Sequence, residues 1–152
     1  MKKMPVARII LVISMLIIAA LAAVAVKDAI DRRNPQYAIP QITVTADAAP
    51  VGVLTAQYKW EFMLGGSAEL DEGAIEELSI PETNLEGGEL IVIDFSVKPE
   101  SLRMERTSAY TYDFSDIDET DLTVPYESGG YIYRISADFD YGSVVWYFYI
   151  VV

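Results

Sequence analysis

The chain contains no cysteine and no histidine. Without cysteine there is no disulfide framework, no thiolate nucleophile, no lipidated cysteine and no cysteine-built zinc site. Without histidine there is no imidazole base, no Ser-His-Asp or Cys-His arrangement, and no ordinary zinc or haem ligation. Basic groups are also scarce: 11 Lys and Arg face 23 Asp and Glu, a net charge of −12. Most familiar hydrolase and metalloenzyme chemistry is closed to such a chain, and no cofactor is expected. Its 152 residues fit one domain plus an anchor.

Charge of either sign is missing altogether from Ile9 to Val26, where Ser14 is the sole polar side chain. At 1.5 Å per helical residue this run reaches about 27 Å, close to the thickness of bilayer hydrocarbon. A core helix of that length would carry a polar stripe, and none is present. The segment therefore reads as membrane-inserting. Ala23-Val24-Ala25 also satisfies the small-residue pattern of signal-peptide cleavage, which would release the chain after Ala25. The apolar run outlasts an ordinary signal peptide, which favours an uncleaved anchor. Either fate puts residues 27–152 outside the cytoplasm, with 1–8 as the cytoplasmic N-terminus and 9–26 as the transmembrane helix.

The charge is split along the chain. Residues 1–33 carry six basic and two acidic groups, whereas residues 34–152 carry five basic and 21 acidic ones. A body so acidic repels nucleic acid, which is not expected as a partner. Residues 27–40, polar and bearing Pro35 and Pro40, read as a juxtamembrane spacer. From Gln41 onward the apolar period becomes two. Ile42 and Val44 share a face, as do Tyr58, Trp60 and Phe62. Glu77–Ile80 and Leu122–Val124 read as short strands stopped by Pro81 and Pro125. Glu89–Val97 reads as a longer strand, and Leu102 and Met104 alternate in the next. Ser67–Glu77 offers at most a turn or two of helix. Tyr131 to Phe139 alternates cleanly, and Val144–Val152 is apolar on both faces, as in a covered central strand. About eight short strands separated by glycine and proline predict an all-β, antiparallel sandwich over residues 41–152.

The segment from Leu122 to Ile135 resembles the corner between the fifth and sixth strands of immunoglobulin-like domains. It has a short strand, a glycine-containing turn, then Tyr131 and Tyr133 entering a long strand. The resemblance implies that a tyrosine hydroxyl ties down the corner backbone, with Tyr131 first in line and Tyr133 second. The leading apolar segment, Tyr58 with Trp60, and the closing glycine- and tyrosine-rich strands also look like an uncharacterised family. Its members are small membrane-anchored extracytoplasmic proteins of Gram-positive bacteria. That resemblance implies an immunoglobulin-like β-sandwich and an extracytoplasmic location, and it implies no activity.

Several groups are candidates for chemistry. Asp116, Asp118 and Asp121 could offer oxygens to a weakly held calcium ion, although the EF-hand spacing fails where glycine is required. Asp138 and Asp140 share a strand face beside a turn, and nothing else marks a glycosidase cleft. Ser96 and Lys98 share a face, but Lys98 precedes Pro99 in a turn where water would keep it charged. Asp94 is an unusual carboxylate on a long strand and is expected to pair with Arg134 if their strands are neighbours. The tyrosines exceed what a core needs. They point to an interaction face around Lys59, Asp94, Arg134, Tyr147 and Tyr149.

These observations predict a single-pass membrane protein displaying a non-enzymatic interaction or scaffold module, its partner another membrane or envelope protein. Binding of envelope glycans through surface tyrosines is the alternative.

Overall fold

Lacking any polar stripe, the apolar leader forms one helix, α1 (Val6–Arg33). The structure, a computed structural model, describes residues 6–152; residues 1–5 of the expected cytoplasmic segment lie outside them. The apolar window of α1 has no residue buried against the rest of the chain. The helix continues through the first half of the expected spacer because Lys27 pairs with Asp31 and Asp28 with Arg32, each one turn apart. Arg32 and Arg33 also place positive charge where the helix dipole is negative. Pro35 stops it, since the residue before a proline is pushed out of the α region. A 3₁₀ turn, Pro35–Tyr37, then leads to the buried Ile39.

Ten strands follow: β1 (Ile42–Ala46), β2 (Ala49–Val51), β3 (Val53–Glu61), β4 (Ser67–Asp71) and β5 (Glu82–Asn84), then β6 (Ile91–Phe95), β7 (Ser101–Ser108), β8 (Ser115–Ile117), β9 (Gly130–Phe139) and β10 (Gly142–Val151). They form two sheets. The smaller has the order β2-β1-β6; the larger runs β4-β3-β10-β9-β7-β8, with β5 also on β10. All pairings are antiparallel except that of β5 with β10. Along one edge β10 pairs first with β3, up to Phe148, and then with β5 from Tyr149. Its other edge is occupied by β9 throughout.

The main core lies between the sheets. Ile42, Val44, Ala46 and Ile91 of the small sheet face Tyr133, Ile135, Trp146, Phe148 and Ile150 of the large one. Tyr133 stacks on Phe148 with centroids 4.6 Å apart, and Phe95 meets Trp146 edge-on at 6.1 Å. The fold is thus mostly β: one apolar helix followed by ten strands in two facing sheets.

Some local expectations change. Residues 77–80 form no strand; a 3₁₀ turn covers Ile75–Glu77, and the pairing segment falls after Pro81, parallel to β10. Leu122–Val124 is reduced to one antiparallel bridge, Thr123 to Leu90, with backbone hydrogen bonds to Gly88, Glu89 and Ile91, and Leu122 and Val124 are buried. In the first stretch Leu78 and Ile80 pack on a core from a loop, and from sequence such a plug looks like a strand. Ser67–Asp71 is a strand where a helical turn seemed available. At the β9–β10 hairpin the chain turns on Asp140 and Tyr141 alone. Gly142 is obligatory there, for a Cβ at its φ of 152° would collide with the Lys59 carbonyl.

Candidate functional site

Strand alternation places Lys59 of β3, Arg134 of β9, and Tyr147 and Tyr149 of β10 on the outer face of the large sheet. Their registers confirm it, with Lys59 opposite Ser143 and Arg134 opposite Tyr147. Asp94 does not join them. It lies exposed on β6 in the small sheet, opposite Thr43. The expected Asp94–Arg134 pair therefore does not form; alternation predicts which face a residue takes but not which sheet.

Arg134 pairs instead with Glu105 of β7, directly across the ladder. Its Nε and Nη2 each donate to a Glu105 carboxylate oxygen at 2.6 Å. Glu105 is only 3% exposed, and Arg103 Nη2 also approaches its Oε1 at 3.2 Å. The guanidinium also sits 4.3 Å from the Phe114 ring centroid. The Glu105 carboxylate is the first cause that holds the pKa of Arg134 above its ordinary value, so the cation is fixed.

Much of this face is covered by the chain itself. Ala56, Ile132 and Tyr147 are buried there beneath Leu78, Ile80 and Phe114 from two flanking loops, and Tyr149 is half-buried with them. Phe114 meets Tyr147 edge-on at 6.3 Å. Lys59, at the other end, remains in solvent with Glu69 at 3.4 Å. The residues expected as one open face are thus divided between a second, smaller core and a wet edge.

At the corner, the Tyr131 hydroxyl donates to the Glu127 carbonyl at 3.0 Å. Tyr133 is fully buried, and desolvation pushes its phenol pKa up.

The other carboxylates have local partners. Asp116 accepts from Arg103 Nε at 2.8 Å. Asp118 accepts from the Thr120 hydroxyl and backbone N–H, which hold its carboxyl below the usual range. Asp121 accepts from the Asp118 N–H, closing a reciprocal cap on the 3₁₀ turn Glu119–Asp121. Asp118 and Asp121 are thus spent on one cap and Asp116 on Arg103, and among the described residues no group of three acidic side chains converges on a cation position. Ser96 ties β6 to β1 by accepting from the Gln41 N–H at 2.9 Å, away from any desolvated lysine. Asp138 accepts from the Ser101 hydroxyl. Asp140 lies beside Glu100 and is the first cause that raises the Glu100 carboxyl above its ordinary pKa.

A concavity of about 570 Å³ is an open groove at the β9–β10 turn lined by Lys59, Trp60, Glu69, Asp138, Asp140 and Tyr141. This end of the large sheet is also the end that meets α1, since Lys27, Asp31, Trp60 and Tyr141 border one small groove. The opposite end carries Tyr110 and Tyr126, 84% and 82% exposed. They flank the start of β9, where the Ala109 N–H bonds Gly130 and the Tyr126 ring covers Gly88.

No family model, curated protein or solved structure matches the chain.

Sequence reasoning missed two residues. Glu105 looked like an ordinary outward residue of a strand, yet it is buried between Arg103 and Arg134. Asp28 looked like part of a solvated spacer, yet it is 6% exposed and holds the β3–β4 hairpin to α1. Neither carried a local signal, because both depend on contacts remote in sequence.

Proposed function

We propose that this chain is a single-pass membrane protein that holds an acidic, immunoglobulin-like β domain just outside the cytoplasm. The domain serves as a non-enzymatic interaction or scaffold module for another membrane or envelope protein. One observation carries the reading: a helix whose 18-residue uncharged run is uncovered is tied at its far end to a two-sheet body through Asp28. A soluble protein would have to bury that helix, since so large an exposed apolar surface is unstable in water. The immunoglobulin-like assignment draws on the Tyr131 hydroxyl bonded to the corner carbonyl of Glu127.

The contact surface is the end remote from α1, where Tyr110 and Tyr126 stand out from the body. An exposed tyrosine offers a large apolar area with a polar tip, the composition favoured at protein interfaces. Scaffold function also agrees with the engaged state of the carboxylates and of Ser96 described above.

Photo-crosslinkers placed at Tyr110 and Tyr126 in intact membranes test the reading. One discrete protein adduct at these positions, and none from Lys59, is the expected result. A chain that leaves the membrane on alkaline washing, or that gives no adduct at the far end, would overturn it.

Glycan binding is favoured by a separate observation, the open groove that sets Tyr141 beside Asp138 and Asp140. The Tyr141 ring is tilted 46° to Trp60, so the pair forms no flat platform for a sugar ring. Retention on cell-wall glycan that is lost in Tyr141→Ala would favour this second reading.

A further inference from the structure

We propose that the tip of the β3–β4 hairpin, Met63 and Leu64, is a membrane-contact element seated in the interfacial layer of the bilayer that α1 crosses. The inference rests on the anchor reading above and adds a second point of contact between domain and lipid.

Depth is set by the helix. Val26 is the last residue of the uncharged run, so the hydrocarbon boundary falls close to it. Asp28 follows two residues later, an axial rise of about 3 Å. Its side chain leans back toward the helix N-terminus, as helical side chains do, and so lies nearer still to that boundary. There Asp28 Oδ1 accepts the backbone N–H of Leu64 at 3.0 Å, while Oδ2 is held by Arg32 Nε at 2.7 Å. A buried carboxylate with two charge-assisted or backbone bonds is a firm fixture. The hairpin tip is thereby pinned level with the end of the apolar run.

What the tip displays there is apolar. Phe62 turns into the core, but Met63 and Leu64 are 63% and 55% exposed. The turn is internally closed, with the Phe62 N–H bonded to the Gly66 carbonyl and the Gly65 N–H to that of Phe62. Its backbone polar groups are thus partly satisfied before it meets lipid. Met63 borders the same small groove as Lys27 and Tyr141, an amine and a phenol suited to the headgroup layer. Glu61 is exposed next to the tip, so apolar burial and not charge attraction drives the contact, and a zwitterionic lipid suffices.

The absence of native cysteine permits a clean test on the full chain. Leu64→Cys, Met63→Cys, Leu16→Cys and Tyr126→Cys variants are labelled with an environment-sensitive fluorophore and reconstituted in phosphatidylcholine vesicles. The lipids carry spin labels either near the headgroup or near the bilayer centre. The expected result is loss of most emission at 64 and 63 with the shallow label, loss at 16 with the deep label, and no change at 126. If 16 is quenched but both 63 and 64 behave like 126, the helix spans and the tip is wet, which overturns this inference alone. If 16 escapes the deep label, the anchor reading falls and the inference falls with it.

Discussion

Glu105 and Arg134 face each other across β7 and β9 and share two 2.6 Å hydrogen bonds, under the ring of Phe114. The pair is the polar centre of an otherwise apolar second core. Removing Glu105 leaves Arg134 half-covered with no carboxylate against it, whereas replacing both removes that imbalance. Glu105→Ala is expected to cost about 2 kcal/mol, less than for a fully buried pair because water reaches one side of Arg134. The double variant Glu105→Leu with Arg134→Met should recover most of that loss. Urea unfolding midpoints of the three proteins check it.

Glu100 gives a pH signature. Its carboxyl is raised above the ordinary value, first by the hydrogen bond to Asp140 and then by the charges of Asp140 and Asp138. The folded state therefore binds its proton more tightly than the unfolded chain. Stability from this group is fully present below the unfolded pKa and is lost as pH rises through the folded one. Glu100→Gln removes the repulsion, so the variant should melt higher than the parent at neutral pH. The gap should narrow on acidification into the carboxylate range, as followed by thermal melts across pH.

The β1–β2 hairpin turns on Asp47 and Ala48, whose φ angles are 42° and 71°. Two successive positive φ values define the turn that best matches strand twist, and glycine is preferred where alanine stands. Ala48→Gly should stabilise the fold by about 0.5–1 kcal/mol, by relieving the left-handed Cβ clash. A shift in denaturation midpoint at unchanged slope is the readout.

Tyr131→Phe keeps the ring and deletes the hydroxyl that reaches Glu127. The expected loss is about 1 kcal/mol, the net value of one neutral hydrogen bond. Amide exchange should quicken around Glu127–Gly130 while the centre of β9 stays protected.

The long elements were legible because one force shapes them. In β1, β3, β7 and β9 the apolar period of two is set by a core on one face, and in β10 cover on both faces erases it. Residues 77–80 were misread because an apolar residue dropped into a core from a loop leaves the same trace as a short strand. The candidate face was legible as a direction and not as an environment. Alternation aligned Arg134 with Tyr147 and Tyr149, yet it carried no sign that Phe114 and Leu78 would cover them. Asp94 failed for a related reason, since sheet membership depends on pairing between segments distant in the chain. The Asp28–Leu64 bond spans 36 residues and has no local mark at all.

The position of β10 has a consequence for how the domain comes into being. It is the last of the ten strands to be synthesised, and it alone joins β3, β5 and β9. Until it arrives, the large sheet exists only as two disconnected fragments, β3–β4 and β7–β8–β9, each with raw edges. The large sheet can therefore close only after β10 has emerged. Before that point the fragments present unpaired edges of the kind that chaperones bind.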